Sequence, residues 1–179
     1  SGNMACNLVT TMRGLPVALT CAIGNQADVD MAQLVESCAR DPRITAIGLH
    51  IEGLRDVAAF ARAAAVAREL RKPIVVLKTG RSEQGARVTM SHTSSLSGAD
   101  ALYDALFRRY GVARVKSVSA LVETLKFLHC GGAIADSRLV SMSCSGGEAA
   151  LAADMALDRA VSFPPFTAVT RERVAATLN

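Results

Sequence analysis

The chain reads as an α/β protein, a parallel sheet with helices on both faces in three layers. Short apolar runs at 17–23, 45–51, 74–78 and 112–115 alternate with helix-length amphipathic stretches. The run at 45–51 is apolar without alternation, as a strand covered on both faces is. Half of the 179 residues are apolar, enough for a proper core.

Taken in order, 3–13 has helical spacing, with Met4, Leu8 and Met12 on one face and Gly14 and Pro16 as its stop. The strand-like run 17–23 closes at Gly24-Asn25-Gln26, a loop signal. Asp28 or Asp30 caps a helix that runs to about Arg40, and Met31, Leu34, Val35 and Cys38 form its buried stripe. Asp41-Pro42 breaks it. The strand 45–51 ends at Glu52-Gly53, and an alanine-rich helix covers 57–70. Lys72-Pro73 opens the strand 74–78. A long polar loop follows, then a helix at 100–110, a short strand at 112–115 and a helix at 119–128. His129-Cys130-Gly131-Gly132-Ala133 reads as a linker. Residues 138–144 give another strand, with Ser145-Gly146-Gly147 and a helix at 148–157 behind it. A short helix at 170–178 ends the chain. One or two strands make no stable sheet, so this second unit is incomplete as it stands. The start Ser1-Gly2-Asn3, with a helix pattern almost at once, reads as a piece of something longer.

Composition excludes several classes. The net charge of +4 is mild, the arginines form no stripe, and with no Trp and two Tyr there is little for bases to stack on, so nucleic acid is disfavoured as a partner. No apolar run approaches the length that spans a bilayer. Five cysteines, irregularly spaced and without a C-x-x-C pair, form neither a standard zinc site nor a disulfide framework. They suit a reducing compartment and, with no signal peptide visible, a cytoplasmic protein. No metal site is expected.

The organising stretch is Ser91-His92-Thr93-Ser94-Ser95-Leu96-Ser97-Gly98, one imidazole followed closely by hydroxyls and a glycine. An imidazole is near-neutral and nucleophilic at cell pH, so it can accept a group and give it up. The plain alternative is a loop histidine followed by capping serines. In a parallel sheet ligands gather beyond the carboxyl ends of the strands. Glu52 and the His92 loop both follow strand ends, which brings a carboxylate within reach of the imidazole. Paired with His92, Glu52 would fix the ring tautomer and steady a charged ring.

Gly80-Arg81-Ser82-Glu83-Gln84-Gly85 has P-loop spacing, but Ala86-Arg87 replaces the cation and hydroxyl that a P-loop needs. Ser143-Cys144-Ser145-Gly146-Gly147 lacks the first glycine of a nucleophile elbow, and no histidine follows His129 to serve it. Bare amides at a helix start make Ser145, Gly146 and Gly147 an anion site instead, and Ser1 and Gly2 have the same character. His50 reads as a core residue and His129 as a helix end.

Taken together, Gly24-Asn25-Gln26-Ala27-Asp28, Asp41-Pro42, Ile51-Glu52-Gly53, Lys72-Pro73-Ile74-Val75-Val76-Leu77-Lys78-Thr79-Gly80-Arg81 and the His92 stretch resemble the NDP-forming acyl-CoA synthetases, the superfamily of succinyl-CoA synthetase. The resemblance implies a flavodoxin-like phosphohistidine domain over 1–129, a linker at 130–137, and the start of a second flavodoxin-like domain at 138–179. It implies that His92 carries the phosphoryl group and that Glu52 is its partner. Ser1-Gly2 and Ser145-Gly146-Gly147 would head two helices facing the phosphate, with Gly24 and Asn25 in a substrate loop. The parent would be an acid–CoA ligase that passes phosphate between an acyl phosphate, formed from acyl-CoA, and ADP. Coenzyme A, ATP or ADP and Mg would be bound by CoA-binding and ATP-grasp modules outside this chain, leaving this piece inactive alone. Ser94 and Ser97 stand where the family has glycine and alanine. The first strand of such a domain would precede Ser1. The segment 138–144 is then expected to pair with a sheet edge or gap, in its own chain or across a homodimer. The alternative parent is a lysine acetyltransferase with a degenerate, CoA-sensing ligase region; the presence of both His92 and Glu52 favours the ligase.

Overall fold

The computed structural model describes residues 2–10, 12–93, 100–134 and 136–177, and for 89–93 the backbone alone. Two compact units follow one another in the chain, Ser1–Ala133 and Ile134–Asn179.

The first unit is built on three parallel strands, β1 Ile47–Ile51, β2 Ile74–Lys78 and β3 Ala113–Val115, in the order β1-β2-β3. Ile47 stands opposite Ile74 and Ile51 opposite Lys78, while Val75 pairs with Ala113 and Leu77 with Val115. Every residue of the central strand β2 is buried. Side chains of successive strand residues point to opposite faces, so Ile74 and Val76 join one cluster and Val75 and Leu77 the other.

On one face lie α2 Met31–Arg40, α3 Val57–Glu69 and α5 Asp100–Tyr110. Val35, Phe60, Ala63, Ala64, Ala67 and Phe107 are the buried contacts there, and the alanines let α2 and α3 pack closely. On the other face α6 Val118–Gly131 covers Val75 and Leu77 with Leu121, Leu125 and Leu128. Gly48 lets α6 approach β1: a Cβ there would fall 2.6 Å from Leu125 Cδ1.

Local signals explain the helix starts. Asp30 caps α2 in a capping box with Gln33, its Oδ1 accepting the Gln33 N–H at 2.8 Å. Asp56 and Ser117 cap α3 and α6, their side chains accepting the Ala59 and Ala120 N–H. The first helix, α1 Gly2–Val9, stops short of the expected Arg13.

Several expectations are corrected. Residues 17–23 form no strand. With Ile44 to Leu49 they line a cavity of about 1080 Å³ beside β1, and they make no ladder with it. The second face of β1 is only partly covered: α6 reaches it through Leu125 at Gly48, yet Gly48 keeps solvent exposure and His50 is half-buried. The polar stretch after β2 is not all loop: α4 runs Glu83–Thr93 and holds the backbone of His92 in its last turn. Ser82 Oγ accepts the Gly85 N–H at 3.1 Å, and Arg87 pairs with Glu83 one turn away at 2.7 Å, signals that start and support a helix. The rest of the organising stretch, 94–98, lies outside the described residues. The expected linker begins inside α6, which continues to Gly131.

In the second unit α7 Gly146–Ala156 and α8 Ala168–Thr177 are present, but 138–144 is not a strand. It contributes a single parallel bridge, Arg138 to Ser162, with the Leu139 N–H donated to Ser162 O at 2.8 Å. Within the second unit 138–144 therefore makes that one bridge and no ladder.

Candidate functional site

The carboxyl ends of β1 and β2 are adjacent, because Ile51 and Lys78 are paired in register. Glu52 follows β1 directly, half-buried, with Gly53 and Leu54 buried behind it. The loop at Gly24 to Ala27 is fastened beside it. Gly24 and Gln26 both adopt positive φ, +53° and +59°, which folds the loop tightly. Gln26 Nε2 donates to Gly53 O at 3.5 Å, and Gln26 Oε1 accepts the Met31 N–H at 3.1 Å. Arg55 Nη1 donates to Gln26 O at 2.5 Å. Asn25 Oδ1 accepts the Ala27 N–H at 3.2 Å, closing an Asx turn. Gly24, Asn25, His50 and Glu52 thus share the wall of the large cavity beside β1.

His50 has a partner that sequence reading did not name: its Nε2 lies 3.0 Å from Thr79 Oγ1 across the strand ends. Burial pushes its imidazole below the usual value, Lys78 pushes the same way, and Glu52 opposes. His129, in α6, is held by Thr45, Nδ1 to Oγ1 at 2.8 Å.

A cluster of charge closes the end of β2, and the sequence reading passed over it. Lys78 is 3% exposed, the one buried polar or charged side chain among the described residues. Its ammonium donates to Thr79 O and lies 4.7 Å from the centroid of the Tyr103 ring. Tyr103 Oη in turn accepts the Leu54 N–H at 3.3 Å, tying α5 to the residue after Gly53. Beside them Arg114 pairs with Asp100 at 2.6 Å and with Asp104, and Arg81 approaches Asp100 at 3.6 Å. The hydrogen bond from Arg114 holds the Asp100 carboxyl below its usual range. Burial lowers the Lys78 pKa and Arg114 adds to this, whereas Asp100 and Glu52 favour the charged form. The available signal was a lysine closing an otherwise apolar strand, a position where an unpaired charge is costly.

The expected phosphate groups divide. Gly2 opens α1, and Ser1 lies outside the described residues. Ser145 caps α7, its Oγ accepting the Glu148 N–H at 3.2 Å, so Gly146 and Gly147 occupy the first turn of that helix. Gly2 belongs to the first unit and Ser145, Gly146 and Gly147 to the second. The backbone of His92 is placed in α4, one strand connection away from Glu52 and Lys78.

Fold and strand-end cluster together describe a flavodoxin-like domain, a class that works beyond the carboxyl ends of a parallel sheet. Residues 1–128 match the family described as the succinyl-CoA ligase like flavodoxin domain, and the chain belongs to that family. Its relatives include an ADP-forming acetate–CoA ligase of Methanocaldococcus jannaschii, 34% identical over 86% of this chain and 21% of the relative. The alpha subunit of ADP-forming acetate–CoA ligase I from Pyrococcus furiosus is 34% identical over 82% of this chain and 32% of that subunit. Among solved structures, acetyl-coenzyme A synthetase 1 of Ca. Korarchaeum cryptofilum, described as dinucleotide forming and in complex with phosphate and ADP, superposes with a TM-score of 0.72 at 31% identity, over 80% of this chain and 32% of that one. The chain therefore spans about a fifth to a third of the length of these relatives. No helix among the described residues is long and apolar enough to cross a membrane.

Proposed function

We propose that this chain is the phosphohistidine-bearing part of an ADP-forming acid–CoA ligase. One observation carries the reading: in a chain of the succinyl-CoA ligase family, Glu52 ends β1 beside the end of β2, the strand that leads into the helix bearing His92. Phosphate attacks the thioester of an acyl-CoA, releasing CoA and leaving an acyl phosphate. A His92 ring nitrogen then attacks phosphorus, the bond to the acyl oxygen breaks, and the carboxylate leaves with that electron pair. Glu52 holds the ring proton on the other nitrogen and stabilises the cationic ring that results. The phosphoryl group passes to ADP, and the reverse sequence makes the thioester.

In this reading Gly24 and Asn25 border the substrate, and the helix starts at Ser1-Gly2 and Ser145-Gly146-Gly147 bind phosphate oxygens. Residues 1–129 are the phosphohistidine domain and 138–179 the start of a second flavodoxin-like domain. CoA and the magnesium nucleotide belong to modules of the same protein or of a partner subunit. The acetate–CoA ligases among the relatives support a carboxylic acid as substrate. No observation favours a lysine acetyltransferase.

The test is phosphorylation of the full-length protein with radiolabelled ATP and magnesium. One acid-labile, base-stable phosphate per chain is expected, and His92→Ala should remove it while leaving the melting temperature in place. Label that survives acid, or that remains in His92→Ala, rejects the assignment.

A further inference from the structure

The loop at Gly24 to Ala27 is held more firmly than a plain connection needs. Gln26 stands at φ +59°, in the left-handed region, where Gly or Asn would sit with less strain. Its side chain accounts for the glutamine. Nε2 donates to Gly53 O at 3.5 Å and Oε1 accepts the Met31 N–H at 3.1 Å, a span that Gly lacks and the shorter Asn cannot bridge. Arg55 Nη1 donates to Gln26 O at 2.5 Å and to Ala27 O at 3.3 Å, and the Gln26 N–H closes on Ile23 O at 2.9 Å. The turn behind Glu52 is fixed from elsewhere too, by the Leu54 N–H on Tyr103 Oη at 3.3 Å. Loop and turn are therefore tied into one piece.

Asn25 is the exposed member of that piece, on the wall of the cavity that Glu52 also lines. The Ala27 N–H donates to its side chain at 3.2 Å, so the atom that accepts is the amide oxygen and the other end is the NH2. The oxygen is committed to the turn. The NH2 makes no hydrogen bond among the described residues, and the turn fixes where it stands. It can bind only an acceptor. An acid that enters beside Glu52 meets a like charge, so its carboxylate needs donors already in place.

We propose that Asn25 donates its amide N–H to a carboxylate oxygen of a short acid of the acetate type, and that Gln26 is the positioning residue that sets Asn25 against Glu52. The assignment rests on the acid–CoA ligase reading. A donor held by its own turn does not have to reorganise when the acid arrives, which is why a strained but tightly tied glutamine is useful beside it.

The experiment uses the full-length protein and two readouts. One is kcat/KM for acetate with CoA and magnesium ATP; the other is the rate of histidine labelling from radiolabelled ATP, which needs no acid. Asn25→Asp keeps an oxygen for the Ala27 N–H, so the turn and the melting temperature should stand, while the donor becomes a repelling carboxylate. Its kcat/KM for acetate should fall at least about tenfold further than its labelling rate. Gln26→Gly fits the backbone but drops both side-chain bonds, and should show the same split to a smaller degree. Wild-type use of acetate in Asn25→Asp overturns the inference and leaves the ligase reading intact. Equal losses in the two readouts, or losses that track a fall in melting temperature, overturn it as well by making the loop structural. No split in Gln26→Gly overturns the positioning role. A wild type that labels but leaves acetate unused overturns the assignment to a short acid. One that neither labels nor uses acetate rejects the ligase reading itself, and the inference with it.

Discussion

A carboxylate placed just beyond a strand is cheap to keep and simple to test. Glu52 is half-buried, lines the cavity beside β1 and makes no ion pair among the described residues. Its stabilising effect on the fold is therefore small. Glu52→Gln retains size and hydrogen bonding but removes the charge that would support a cationic His92 ring. The expected result is a fall in phosphoryl transfer of about a hundredfold with the melting temperature unchanged. Wild-type turnover in Glu52→Gln would show that the two residues do not act together. His50, two residues earlier, gives a contrast. Its ring is anchored to Thr79 at 3.0 Å, and burial lowers its pKa.

At the scale of elements, α6 approaches β1 closely at Gly48. A Cβ there would sit 2.6 Å from one Leu125 methyl and 3.4 Å from the other, inside van der Waals contact. Leu125 packs on the cluster of Val75, Leu77 and Leu121, so it has limited room to retreat. Gly48→Val should lower stability by about 1–3 kcal/mol, the usual range for overpacking. Leu125→Ala in the same chain should then cost less than it does alone, because the two side chains compete for one space. Additive losses in chemical denaturation would show that α6 moves away as a body instead.

Considering the whole molecule, the buried core belongs to one part of the chain. Among the described residues every buried hydrophobic one, from Ala32 to Val122, lies in the first unit, while α7 and α8 bury none. Removing 134–179 should therefore leave the melting transition of 1–133 where it is in the 179-residue chain, with the same helical signal per residue for α1 to α6. A drop of several degrees in the shortened chain would show that the second unit shares in the core.

How much was legible in the sequence follows from the range of each interaction. Local chemistry was readable: Asp30 with Gln33 set the start of α2, Asp41-Pro42 ended it, and the apolar run from Ile74 marked the central strand. The motifs from Gly24 to Gly98, taken together, pointed to the family that residues 1–128 match. The sequence failed where an outcome depended on a partner distant in the chain. Residues 17–23 have a strand's composition, but a strand exists only through its neighbour's hydrogen bonds, and 17–23 make no ladder among the described residues. The same holds for 138–144, which has one bridge where a ladder was expected. Lys78 is the clearest case. By sequence it is a lysine at the end of a strand; α5 brings Tyr103 over it and β3 commits Arg114 to Asp100 and Asp104, and only the fold makes it a buried cation with no ion pair among the described residues.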